Sequence, residues 1–311
     1  MLSSLDGADV LVTGGNGFIG CHLVRRLIEL GASVHVFSLN SNNLHDIIDK
    51  INFYRVDVRD YDSVKTNVEK IEPQKIFHLA AVVNVSRDVK EMEPIVDVKI
   101  KGTLNLIKSM DDIDCDCFVN TGTCEEYGQN KPPFREDMTP MPVSPYSAAN
   151  ASMTIFCKML YETNGFPITT LRQFTCYGPG QKPSMLIPYV IISALKKETI
   201  KMTGGKQKRD FNYIDDAVES FILASTEKKS LGEVINIGTG ESRKIKGVVG
   251  MILDMMGNPV VDFGSVPYRK TEIWDIRADN SKAKTVIGWE PKTSLQDGLK
   301  KTIEWYKNSI S

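Results

Sequence analysis

Thr13-Gly14-Gly15-Asn16-Gly17-Phe18-Ile19-Gly20 lies between an apolar run, Val10-Leu11-Val12, and a segment over residues 22–30 in which Leu23, Leu27 and Leu30 recur at helical spacing. The order reads as a buried strand, a glycine turn and a helix that Gly31 closes. Gly14, Gly17 and Gly20 permit a tight turn and close backbone approach. The N–H groups of the turn, Asn16, Phe18 and Ile19 included, then stand at a helix N-terminus able to hold a pyrophosphate. A glycine spacing alone is a weak signal; its place between strand and helix is what points to a dinucleotide.

Outward from this turn, strand–helix alternation continues, with strands expected over residues 33–37, 52–56, 75–79 and 117–120. Such alternation is the pattern of a parallel sheet covered on both faces, so the fold class is α/β, a doubly wound Rossmann-type sheet. From Gly165 onward the alternation loosens. The expected division is a dinucleotide-binding domain over 1–171, with returns near 210–237, and a smaller interleaved substrate lobe over 172–311. At 311 residues the chain fits one elaborated domain or two intimate lobes.

A net charge of −1 without a basic run argues against nucleic acid and against an anionic membrane surface as partners. The N-terminus lacks the charged-then-apolar order of a signal peptide, and no window resembles a membrane span, so a cytoplasmic protein is expected. Six cysteines in a chain of this length make no disulfide framework, and no His or Cys cluster has zinc spacing, so no metal is expected.

The end of the second strand bears on the cofactor, because an acid there binds the adenosine ribose hydroxyls and repels a 2′-phosphate. Ser38 occupies that place, followed by Leu39-Asn40-Ser41-Asn42-Asn43. With neither acid nor arginine, NAD and NADP are both admissible, and the lack of an obvious phosphate partner favours NAD. Asp57, beside Val58, is placed either to accept from the adenine amino group or to serve as a helix N-cap or turn aspartate. Leu79-Ala80-Ala81 ends the fourth strand with small residues against which a cofactor can lie.

Taken with His78 to Ala81, Gly102-Thr103, Tyr127-Gly128, Tyr146, Tyr177-Gly178-Pro179-Gly180 and Arg209-Asp210-Phe211, the glycine turn resembles the extended short-chain dehydrogenase/reductases. That group contains nucleotide-sugar epimerases, dehydratases and decarboxylases. These motifs span most of the chain in the family's order. They are specific for the family and much less so for the reaction.

The resemblance implies that Thr123 hydrogen-bonds the reacting sugar oxygen and that Tyr146, in the first turn of a helix capped by Ser144, acts as the base. A phenol with an ordinary pKa of about 10 needs a nearby cation to do so near neutrality. The family's lysine four residues on is here Asn150. One helix earlier, Lys99 stands where relatives usually carry asparagine, and its stripe with Val96, Ile100 and Thr103 points the stem inward. The two departures read together as a swap, Lys99 supplying the ammonium; read apart, Lys99 is a surface lysine and Asn150 marks a crippled site.

Thr123-Cys124-Glu125 resembles the Thr-x-Glu of the family's 4,6-dehydratases and glucuronate decarboxylases. A ketone at C4 acidifies the C5 hydrogen, and a carboxylate at Glu125 can remove it. Cys124 is either a proton donor to the leaving hydroxyl or a small residue filling a turn. Glu126 should point the other way. In the substrate half, the resemblance implies that Thr175 contacts the diphosphate, that Arg209 and Arg269 clamp it, and that Glu272 meets the nucleotide ribose. It also implies a homodimer through helices at 88–110 and 144–164.

The expected function is a nucleotide-diphosphate-sugar dehydratase of the 4,6 type. The alternatives are a 4-epimerase, a UDP-glucuronate decarboxylase, a 4-ketosugar reductase and a non-catalytic nucleotide-sensing protein.

Overall fold

The computed structural model describes residues 5–111, 113–257 and 260–310. Seven parallel strands form one sheet: β1 (Asp9–Thr13), β2 (Ser33–Ser38), β3 (Asn52–Arg55), β4 (Lys75–His78), β5 (Cys117–Thr123), β6 (Ile168–Gln173) and, after the short pieces β7 (Thr175–Tyr177), β8 (Ile200–Met202), β9 (Lys208–Arg209) and β10 (Phe211–Tyr213), β11 (Val234–Ile237). The order across the sheet is β11-β6-β5-β4-β1-β2-β3, which reverses direction beside β1. β11 pairs in parallel with β6, so the chain returns to the sheet edge after leaving it.

Side chains of β1 divide between the two faces as the pleat requires. Val10 and Val12 pack with Leu23 and Leu27 of α1 (Phe18–Glu29) and Phe221 of the helix Ile214–Thr226. Leu11 points the other way, to Val64 and Val68 of α2 (Tyr61–Ile71), Leu106 and Met153. All are fully buried, and each contributes about 1.5–3 kcal/mol on leaving water.

α3 (Met92–Val96) runs through a π-helical turn, Asp97–Lys101, into α4 (Gly102–Lys108). α5 (Pro145–Asn164) starts at Ser144, whose hydroxyl accepts from the Ser147 N–H while Ser147 reaches back to the Ser144 N–H. α1 begins at Phe18, earlier than its leucine spacing suggests, and β5 runs on to Thr123, three residues past the expected end. Both extensions carry regular structure to the carboxyl edge of the sheet, where Thr13 and His78 end level, Ser38 lies one residue further on, and Thr123 projects three residues past Asn120, the partner of His78.

Candidate active site

The glycine turn closes tightly against the end of β4. Gly14 has φ +69°, and a Cβ there would lie 2.8 Å from the Ala80 nitrogen. At Gly20 a Cβ would lie 2.3 Å from the Gly14 carbonyl oxygen. Gly17 precedes α1, and no side chain caps that helix, so its first-turn N–H groups are left to face a ligand. A groove of about 370 Å³ beside the turn is lined by Gly14, Gly17, Ser38, Asp57, Val58, Leu79, Ala80 and Ala81 among others. A cradle of backbone N–H groups that a Cβ would fill, opening onto a groove without an acid at Ser38, fits a dinucleotide.

Not every residue of the turn reaches that groove. Asn16 is tied to the loop after β2, donating to the Asn40 side chain and accepting from the Asn43 N–H. Phe18 meets the His22 ring edge to face, and Ile19 packs on the core, so these two contribute backbone only. Asp60, not Asp57, caps α2, but Asp57 does act as a turn aspartate, its Oδ1 accepting from the Arg59 N–H at 3.0 Å. Asp57 lines the groove with its carboxylate clamped by the Arg59 guanidinium at 2.6–3.1 Å, which holds it below the usual carboxylate range.

Replacing Gly20 by alanine forces the Gly14 carbonyl out of place, an overpacking that costs ~1–3 kcal/mol. NAD affinity should fall by about tenfold or more, roughly the 1.4 kcal/mol of one displaced contact. A calorimetric titration alongside a thermal melt reads both.

Deeper in, β1, β4 and α4 are joined through an imidazole. The Thr13 hydroxyl lies 2.7 Å from His78 Nδ1, and Nε2 lies 2.8 Å from the Thr103 hydroxyl. Burial, seconded by the Lys99 charge, holds His78 neutral.

Thr123 ends β5 near the Tyr146 phenol, close enough to favour its ionised form. Burial pushes that phenol well above its ordinary pKa; Thr123 lowers it, while Cys124, Glu125 and Glu126 raise it further. Lys99, only 2% exposed, is no surface lysine. Its stem leaves the π-helical turn and its Nζ donates to Asn120 Oδ1 at 3.0 Å and to the Thr121 carbonyl at 2.6 Å. Burial lowers it to about 8, against the opposing pull of Cys157 and Glu126. The ammonium therefore sits beneath the last residues of β5, and its hydrogen bonds go to the strand. It is not bonded directly to the phenol.

Asn150 likewise stays off the phenol, since its amide donates to the Tyr146 carbonyl one turn back at 2.9 Å. It braces the helix that presents Tyr146. Cys124 is 5% exposed in a cluster with Tyr127, Phe134 and Phe174, and burial raises its thiol well above the ordinary value. The turn-filling reading is the one its surroundings favour.

Glu125 and Glu126 part company as neighbours beyond a strand should. Glu126 turns inward, accepting from the Thr123 N–H, the Thr154 hydroxyl and Arg172 Nε at 2.8–2.9 Å. Arg172 lies over the Tyr127 ring at 4.6 Å. This fully buried ion pair fixes the backbone from which Thr123 projects. No sequence signal announces it, since Glu126 lies in the 3₁₀ turn after β5 and Arg172 among the threonines of β6. Glu125 faces the other way, into a cavity of about 520 Å³, and its Oε2 is buried without a hydrogen-bond partner.

The same cavity is lined by Thr175, Arg209, Arg269 and Glu272. Arg209 donates to Glu272 at 2.6 Å and to the Ile273 carbonyl at 2.8 Å. Glu272 thus holds an arginine in this structure, where the sequence reading gives it a ribose contact.

The sequence model of the family described as GDP-mannose 4,6-dehydratase matches residues 11–302. The chain is an extended short-chain dehydrogenase/reductase. Within that family, it is 32% identical over 96% of its length to a UDP-glucuronate 4-epimerase of Thermodesulfobacterium geofontis, 96% of which is covered. It is 29% identical, over 96% of its length and 92% of the relative's, to a dTDP-glucose 4,6-dehydratase of Salmonella typhimurium. A solved UDP-glucuronic acid 4-epimerase from Bacillus cereus, in complex with UDP-glucuronic acid and NAD, superposes with a TM-score of 0.88 at 32% identity, covering 96% of this chain and 99% of that one. Among extended short-chain dehydrogenase/reductases, then, this chain is similar to epimerases and dehydratases alike. Among the described residues no helix is long and apolar enough to cross a membrane, and no group of three or more His, Cys, Asp or Glu side chains is arranged to hold a metal.

Proposed function

We propose that this chain is an NAD-dependent enzyme that oxidises a nucleotide-diphosphate sugar at C4 and then removes water across C5 and C6. The observation that carries the second step is Glu125, a carboxylate with an unpartnered oxygen inside the cavity that Arg209 and Arg269 line. NAD, when bound, would accept the hydride from C4 and give it back at C6 while C5 regains a proton, so the cofactor is not consumed and the net change is loss of one water. The turn at Gly14, Gly17 and Gly20 holds its pyrophosphate. Ser38 leaves the ribose end neutral, and Arg59, engaged by Asp57, is not free for a 2′-phosphate.

Tyr146, with Thr123 beside it, accepts the proton of the C4 hydroxyl, and the Lys99 charge beneath β5 offsets the neighbouring Glu126. Glu125 takes the C5 proton. With Cys124 in the core, the same Glu125 carboxyl is the group left to hand that proton to the departing C6 hydroxyl, so water leaves and the charge balances. Thr175, Arg209 and Arg269 hold the diphosphate against the cavity wall.

A second reading, the 4-epimerase, is favoured by the burial of Cys124, since epimerisation needs no acid at C6. Product mass separates the two on incubation with NAD and a panel of UDP-, dTDP- and GDP-hexoses: dehydration loses water and epimerisation leaves the mass unchanged. Glu125→Gln should lower formation of the dehydrated product by about two orders of magnitude or more, the range of a lost general base. Unchanged turnover in that variant, or an epimer as the wild-type product, overturns the dehydratase assignment. Inactivity against the whole panel with NAD bound would instead support a sensing protein.

Exposed Met92 and Val96 on α3, with Ile155, Phe156 and Met159 on α5, give this reading an apolar face for a homodimer. Light scattering checks it.

A further inference from the structure

Arg87 lies in the segment after β4, on the cofactor side of the site, yet its guanidinium is spent on the substrate side. Nε donates to the Thr271 hydroxyl at 3.2 Å and Nη2 to the Thr271 carbonyl at 3.4 Å, a bridge across 184 residues. Nη1 donates to the Val85 carbonyl of its own segment. Thr271 sits between Arg269, which lines the cavity, and Glu272, which grips Arg209. The chain of contacts is therefore Arg87 to Thr271, and through its neighbour Glu272 to Arg209.

We propose that Arg87 is a positioning residue that latches the segment 267–272 across the cavity, so that Arg269 and Arg209 are held in place to grip the diphosphate. This rests on the nucleotide-sugar reading above and goes beyond it by naming what orders the clamp.

Residues 265–274 form no helix or strand, and such a segment pays conformational entropy when a ligand fixes it. A planar fork that holds both the hydroxyl and the carbonyl of one residue pre-organises the segment in a way a single ammonium donor cannot. Charge supports the same assignment. Burial lowers the Arg87 guanidinium most; the charges of Arg269 and Arg209 oppose it as well, while those of Glu125 and Glu272 favour it. The two guanidinium groups that line the cavity, Arg209 and Arg269, are like charges, and a diphosphate lying between them relieves their repulsion and that of Arg87 behind them.

The test uses the full chain loaded with NAD and titrates UDP, dTDP and GDP by calorimetry, carrying forward whichever binds. Arg87→Met should weaken that diphosphate by about tenfold, as expected for charged hydrogen bonds lost from the clamp. Arg87→Lys should recover part of the loss, and NAD affinity should stay within about twofold, because the glycine turn is a separate site. Thr271→Val should cost about threefold alone, and the double variant no more than Arg87→Met, since both remove one linkage. In turnover, KM for the matching nucleotide sugar should rise while kcat changes little. Wild-type affinity in Arg87→Met, or additive losses in the double variant, would overturn the latch. Failure of the wild type to bind any of the three diphosphates would overturn the nucleotide-sugar reading and the latch with it.

Discussion

Tyr146→Phe should lower kcat by about three orders of magnitude, within the range that loss of a positioned proton acceptor produces. That factor corresponds to ~4 kcal/mol of barrier. The expectation follows from where the hydroxyl sits. It lies near Thr123 at the end of β5, in surroundings whose burial and whose carboxylates, Glu125 and Glu126, all resist ionisation. A phenol so placed is neutral at rest. It accepts a proton only when a substrate hydroxyl, a cofactor and a supporting cation are present together. The ring remains in the variant, so α5 and its Ser144 cap should be undisturbed and NAD affinity should hold within about threefold. Stopped-flow absorbance of the reduced nicotinamide checks the chemistry, and a parallel NAD titration checks the fold. Turnover within about tenfold of wild type would remove Tyr146 from the role of base.

The glycine turn was readable because its physics is local. Strand, three glycines and helix follow one another in sequence, and the Gly14 φ of +69° is what such spacing exists to permit. The alternation that betrays a parallel sheet is equally local. Long-range contacts were another matter. Glu126 and Arg172 lie 46 residues apart, and nothing in either stretch announces a buried pair. Arg87 and Thr271 are joined over a still longer gap. Cys124 and Glu125 were both legible as candidates beside the sugar. Only the 3₁₀ turn over Cys124–Tyr127, which folds β5 back on itself, decides which of them faces the cavity. The π-helical turn at Asp97–Lys101 was illegible for a different reason. No Gly or Pro interrupts Asp97-Val98-Lys99-Ile100-Lys101, yet the wider turn sets the direction in which Lys99 leaves its helix. Inward placement of that lysine could be read from its apolar neighbours; its docking on Asn120 and Thr121 could not.

Lys99→Met should therefore change two measurements of unlike kind. The first is stability. Burial lowers the amine from 10.5 to about 8. Below pH 8 it is charged in the folded and unfolded chain alike, and the cost of burying the charge is present in full. Between about 8 and 10.5 the unfolded chain keeps a proton that the folded chain has released, so stability rises with pH across that window. The rise is ~3 kcal/mol at 1.36 kcal/mol per decade of pH, and Lys99→Met should flatten it in denaturant titrations. The second is turnover. If the ammonium beneath β5 offsets Glu126 and so eases ionisation of Tyr146, removing it should lower kcat by about two orders of magnitude, the effect of a neighbouring charge on a buried acid. Wild-type kcat should also fall as pH passes 8, where the amine loses its charge. A purely structural lysine would move the first measurement and leave the second alone. The sharpest arm restores the arrangement that the family resemblance implies: Lys99→Asn combined with Asn150→Lys should recover activity that either change alone destroys, because the cation then reaches the phenol from α5. Activity retained in Lys99→Met, or a double variant no better than the singles, would mean that the charge supporting Tyr146 comes from somewhere other than this lysine.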